Sequence, residues 1–294
     1  MSGPAIFPGR PRVALPVGAT LGESPTWDHR TGRLFFVDVK DGIVFRWRPG
    51  DAPDRFPVGG QVGFVVLTED PDVVLAGRQD GVVRLDLSDG AVRHLVDPEP
   101  DRPGNRLNDA CAGPDGSLLF GTMDDGEGRP TGRFYHLAGG GLGRFGPEAA
   151  VTNGPTLDAE AGLFYTTQTE SRRIWRHRIG PDGRPGEAEP FVTLGEGDGH
   201  PDGCTIDAEG CVWVAHFGGA RVTRFSPEGE PLLAIGLPTP KPTKPAFGGP
   251  DLETLYITTD SRGADRETDP MAGHVLAVET GIRGRPTHFA RCPA

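Results

Sequence analysis

Short apolar runs recur along the whole chain, and clusters of Asp, Pro and Gly separate them. Six segments share one pattern of an apolar strand, a polar turn and a second apolar strand. They are Ser24–Val39 (SPTWDHRTGRLFFVDV), Gly63–Gly77 (GFVVLTEDPDVVLAG), Ala110–Met123 (ACAGPDGSLLFGTM), Gly154–Gln168 (GPTLDAEAGLFYTTQ), Gly203–Phe217 (GCTIDAEGCVWVAHF) and Pro245–Thr259 (PAFGGPDLETLYITT). Superposing them on Leu34, Val73, Leu118, Leu163, Val212 and Leu255 gives steps of about 39 to 49 residues. That is the period of a four-stranded propeller blade. A third strand follows most hairpins, as at Ile43–Trp47 and Arg173–Arg178, and a more variable fourth comes after it. No long stretch has helical periodicity, which excludes alternating strands and helices. The pattern predicts an all-β chain forming one domain over residues 1–294, a six-bladed β-propeller with four-stranded blades around a central channel. A pair of β-sandwiches would not repeat in register at this period. Ring closure is expected from Arg12–Val17 and Pro286–Ala290 pairing in a shared last blade.

Composition adds little to this and excludes some partners. The 45 glycines and 30 prolines are spread from end to end, as a chain of many strands and turns requires. With 41 acidic against 30 basic residues, the net charge of −11 argues against nucleic acid or an anionic membrane surface as partner. The stretch Met1–Pro16 has no apolar core of signal-peptide length, and no window reaches the length of a membrane span. The four cysteines lack CxxC spacing and read as free thiols, which together with the missing leader points to the cytoplasm.

The repeat also aligns polar residues. Glu23, Asn153 and Asp202 each precede an Asp by five positions (Asp28, Asp158 and Asp207), and Asn108 has the same offset from Gly113. Each stands at the start of the strand expected to line the channel, so blades one, three, four and five aim an oxygen-bearing side chain at one mouth. In blades two and six the matching places hold about Gly63 and Lys244. Asn-Gly and Asp-Gly alone are turn formers, but Glu23 is neither a good turn former nor a good strand former. Two carboxylates and amide oxygens converging in a narrow channel suit Ca²⁺, Mg²⁺ or Mn²⁺, with a low-coordinate Zn²⁺ or Fe²⁺ site also open. No GxSxG elbow, P-loop, GxGxxG helix start or HExxH motif competes.

Five strings, LGESPTWD (21–28), NRLNDACAGPDGSLLFGTM (105–123), TNGPTLD (152–158), HPDGCTIDAEGCVWVAHFGGARVTRFSPEG (200–229) and KPAFGGPDLETLYITT (244–259), carry a resemblance over almost the whole chain. In this order and spacing the sequence resembles the SMP-30/gluconolactonase/regucalcin-like family, and within it bacterial sugar lactonases. The resemblance implies metal-dependent hydrolysis of a sugar lactone to its aldonic acid. It implies one divalent cation on Glu23, Asn153 and Asp202, with Asp202 also as general base. Arg106 and Asn108 would contact the sugar, with Asn108 left between substrate and cation. Relatives also imply two other readings, a calcium-binding protein or a metal-dependent aryl-ester or phosphotriester hydrolase. Three features depart from the family pattern: Gln168 where relatives often have Asp, His216-Phe217 before the GG pair, and an acidic substrate contact not assigned among Asp124, Asp125 and Glu127. His200 and His216 read as packing or rim residues.

Overall fold

The computed structural model describes residues 3–292. Six sheets form the six predicted blades. The innermost strands are Gly22–Asp28, Val62–Leu67, Asn105–Ala112, Thr152–Asp158, His200–Ile206 and Pro242–Gly248, and each is followed outward by its neighbours in chain order. Strands one and two of each blade are almost wholly buried, whereas outer strands such as Asp54–Pro57 and Val92–Val96 are largely exposed. This gradient follows from radial packing: both faces of each sheet meet a neighbouring blade near the axis and water at the rim. Aromatic side chains fill the inter-blade layers. Trp27 stacks on Tyr256 at 5.6 Å between blades one and six, and Trp213 meets Phe247 edge-on at 5.5 Å between five and six. Among the described residues the only helical turn is the three-residue 3-10 segment Glu196–Asp198.

Closure differs from the expectation in its partner. Arg12–Leu15 does supply the outermost strand of blade six, but it pairs antiparallel with Val275–Glu279. Pro286–Ala290 forms no strand of the last blade, and only Ala290 bridges to blade two, at Thr68. The segment crosses the end of the channel remote from Glu23, where Thr287 Oγ1 donates to the Trp27 carbonyl at 2.9 Å and the Ala290 amide to the Leu67 carbonyl at 2.8 Å. Apolar character alone could not separate an edge strand from a covering segment. A further strand that the repeat did not announce, Ala5–Ile6, lies parallel to Pro231–Gly236 on the edge of blade five.

Each inner hairpin carries a register break at the same height. In blades one, three, four, five and six, two residues of the inner strand oppose one of its partner: Ser24-Pro25, Asn108-Asp109, Gly154-Pro155, Asp202-Gly203 and Thr243-Lys244. Blade two has the single extra residue Gly63. These are β-bulges, which bend a strand and re-aim side chains that strict alternation would send to the inter-blade faces.

Candidate active site in the channel mouth

The bulges correct the register inferred from spacing. Glu23 and Asn153 occupy the last paired positions before their bulges, whereas Asn108 and Asp202 are the first residues within theirs. A constant offset of five along the chain therefore conceals a one-residue difference along the ladder, which the bulges absorb. All four side chains are buried, and they converge. Asn108 Nδ2 donates to Asn153 Oδ1 at 2.7 Å and to the Thr152 carbonyl at 2.7 Å. Asn153 Nδ2 donates to Thr169 Oγ1 at 3.0 Å, so its amide is held with the oxygen on the Asn108 side. Arg106 Nη1 donates to Asn108 Oδ1 at 2.6 Å, and its Nε donates to Asp125 Oδ1 at 3.1 Å. With both ends of its amide engaged, Asn108 orients Asn153 and Arg106.

Glu23 Oε2 accepts the Ser24 amide at 2.8 Å. Ser24 is buried with φ of 52°, a left-handed conformation costly for a non-glycine residue. Its hydroxyl accepts the Val65 amide of blade two at 3.1 Å, which helps hold that conformation. Asp202 Oδ1 is buried and has no hydrogen-bond partner. Burial raises the Glu23 carboxyl to about 8, and the Asp109 charge adds to the effect. Asp202 is pushed well above the ordinary carboxylate range, by burial first and then by the charges of Glu23 and Asp109. An uncompensated buried carboxylate is costly unless a cation or hydrogen-bond donors meet it. The orphaned Asp202 oxygen, the facing Glu23 carboxylate and the oriented Asn153 amide oxygen are hard oxygen donors, and they fit one divalent cation. Among the described residues no group of three or more His, Cys, Asp or Glu forms a metal site. The third donor in this trio is an amide.

Several residues around the site had no assigned role in the sequence reading. Lys244 Nζ donates to Asp109 Oδ1 at 2.5 Å across the channel, from blade six to blade three, and the Gly154 amide reaches Asp109 Oδ2 at 3.1 Å. Both members of the pair are buried. Their residues could be read from the chain, but a pairing 135 positions apart could not. Beneath Lys244 lies a cavity of about 120 Å³ that reaches the C-terminal segment at Arg285–His288. Gly63 has no side chain because a Cβ there would stand 2.2 Å from the Leu107 carbonyl oxygen, so blade two approaches closely but contributes no ligand.

The three acidic candidates on the blade-three loop separate by environment. Asp124 binds Arg129 and the Gly128 and Arg129 amides, which hold its carboxyl down at about 2 and use it to shape the loop. Asp125 stands at the rim, gripped by Arg106, Lys40 Nζ at 3.1 Å and Gln61 Nε2 at 3.0 Å. Glu127 reaches Arg262 of blade six at 4.0 Å. His200 Nδ1 faces the Thr169 carbonyl at 3.0 Å. His216 is buried, with Nδ1 2.8 Å from the Asp198 carbonyl, and burial depresses it to about 4. Gln168 Oε1 accepts the Ser171 hydroxyl at 3.3 Å.

A family model for the SMP-30/Gluconolactonase/LRE-like region matches residues 21–261. The chain belongs to this family. Among relatives of this SMP-30/gluconolactonase-like protein is the L-arabinolactonase of Azospirillum brasilense, 34% identical and aligned over 93% of each chain. Another is the pentonolactonase of Haloferax volcanii, 33% identical over 90% of this chain and 93% of that one. A solved structure of a calcium-binding protein, regucalcin, from Agrobacterium tumefaciens superposes with a TM-score of 0.92 at 26% identity, over 99% of this chain and all of that one.

Proposed function

We propose that this family member hydrolyses a sugar lactone to the corresponding aldonic acid, using one divalent cation held by Glu23, Asn153 and Asp202. The observation that carries the reading is the unpartnered Asp202 oxygen, buried beside Glu23 in a channel whose amides are held in place. The named activities of the two lactonase relatives support it. When bound, the cation supplies Lewis acidity toward the lactone carbonyl and holds both carboxylates ionised.

The chain's own groups do the rest. Asp202 takes a proton from the water that attacks the carbonyl carbon, then returns it to the ring oxygen as the C–O bond breaks. Such positioned proton transfer contributes about 10²–10⁴-fold. Arg106, set by Asn108 and Asp125, orients the sugar hydroxyls, to which Asn108 offers only the remaining lone pair of its Oδ1. A site whose buried polar groups are built for hydroxyls rejects substrates that lack them. The segment Pro286–Ala290 crosses the far end of the channel, so substrate enters at the mouth that holds Glu23.

The calcium-binding reading is favoured by the likeness to the Agrobacterium protein, but it assigns no task to the Arg106–Asn108–Asp125 arrangement. Asp202→Asn tests the proposal by proton release from aldonolactones. Turnover should fall at least about 10²-fold while the fold is kept. Full activity in this variant would overturn Asp202's role, and an inactive unaltered protein that binds calcium would favour the second reading.

A further inference from the structure

The ion pair across the channel suggests how the site is matched to its cation. Three carboxylates, Glu23, Asp109 and Asp202, are buried in the channel, and all are at least nine-tenths covered. The one ammonium among them is Lys244, also buried, with Nζ 2.5 Å from Asp109 Oδ1. Arg106 is engaged by Asp125 at the rim. Setting aside the rim cluster in which Arg106 and Lys40 share Asp125, and with all three channel carboxylates ionised as they would be around a bound cation, three negative charges against one ammonium leave two, the charge of a single divalent cation. Burial alone would lower the Lys244 ammonium's pKa, but Asp109, with Glu23 adding to it, raises it above the ordinary lysine value. The path of the lysine is built in as well. A Cβ on Gly203 would stand 2.4 Å from Lys244 Cβ and Cγ, so the bare backbone next to Asp202 is what admits the aliphatic stem.

We infer that Lys244 is a resident counter-cation. It neutralises Asp109, fixes the channel's capacity at one divalent cation, and positions the Glu23–Asn153–Asp202 donors without touching substrate. The inference rests on the cation site proposed above. A buried charge with no partner is strongly disfavoured, so the lysine does permanently what a second cation would otherwise have to do. Removing it should strengthen attraction for cations, and removing Asp109 should leave Lys244 repelling them.

Calorimetric titration of metal-stripped protein with Mn²⁺ or Ca²⁺ tests this without reference to turnover. Unaltered protein should take up one equivalent. Lys244→Met should bind the first cation about tenfold more tightly or accept a second, whereas Asp109→Asn should bind about tenfold more weakly. Either single change strands a buried charge and lowers the yield of folded protein. The double variant D109N/K244M, which keeps the same net charge, and the charge-retaining K244R therefore carry the test independently. Both should bind one equivalent within about threefold of the unaltered affinity. A salt bridge that merely supports the fold would shift both single variants in the same direction, and that result would overturn the inference alone. Two equivalents in unaltered protein would overturn it too. No binding by unaltered protein at any concentration used for the variants would overturn the cation site itself.

Discussion

The two ends of the inner strands hold the same kind of residue in opposite circumstances. At the far end, Asp207 is buried, accepts the Glu209 and Cys211 amides, the Trp213 indole at 2.8 Å and Arg224 at 2.7 Å, and has its hydrogen-bonding capacity filled. Asp28 is met in the same way by Arg30 and Thr31. Burial would raise its carboxyl, yet these donors hold it below the ordinary range. Five residues upstream, Asp202 is equally hidden, but one oxygen has no partner. Burial alone therefore does not mark a site. What sets Asp202 apart is unmet hydrogen-bonding capacity combined with the neighbouring buried carboxylates of Glu23 and Asp109.

Exchanging one residue at each end would sharpen this contrast. The largest effect expected is on activity at the mouth: Asp202→Ala should reduce kcat/KM at least about 10³-fold, because it removes both a donor to the cation and the base. Its thermal midpoint in metal-free protein should hold or rise, because an unpaired buried carboxylate is removed. Asp207→Ala should do the reverse. Loss of the acceptor for two amides, an indole and a guanidinium should cost about 3–5 kcal/mol in a denaturant titration, with kcat/KM of the folded fraction unchanged. A stable Asp207→Ala protein, or an Asp202→Ala protein that only loses stability, would break the comparison.

Smaller effects separate the sugar contacts from the fold. Arg106→Met should raise KM for polyhydroxylated lactones by about tenfold to a hundredfold and change a simple unsubstituted lactone much less. An equal loss on both substrates would assign Arg106 to scaffolding. The buried histidines give a pH signature. His216, His177 and His136 are all depressed, chiefly by burial, so the folded state binds fewer protons than the unfolded chain below the ordinary histidine value of 6.5. Stability should therefore be complete above about pH 6.5 and fall as pH drops toward about 4, with His216 contributing on the order of 2–3 kcal/mol. Urea midpoints for His216→Phe measured over that range should show a flatter decline, and an unchanged slope would contradict the assignment.

The blades were legible in the chain because alternation and turn residues are local and repeat six times. Glu23, Asn153 and Asp202 were singled out because their spacing repeats with the blades, and the family strings added Arg106. The bulges were not, since a residue count along the chain does not record which partner each residue faces. Asp109 stood in a quoted string, and Lys244 was noted as matching in register. Their union across opposite blades depends on ring closure, which no local pattern encodes. The segment Pro286–Ala290 misled for a related reason: it covers the channel end and touches blade two only through an isolated bridge at Ala290, forming no strand of the last blade.

The most direct test of the central claim strips the protein of metal and then resupplies Fe²⁺, Zn²⁺, Mn²⁺, Mg²⁺ or Ca²⁺, following proton release from a panel of aldonolactones. Hydrolysis that vanishes on stripping and returns with one equivalent of a divalent cation is the predicted result. Undiminished hydrolysis by fully stripped protein, or none with any cation in protein shown to bind one, would contradict it.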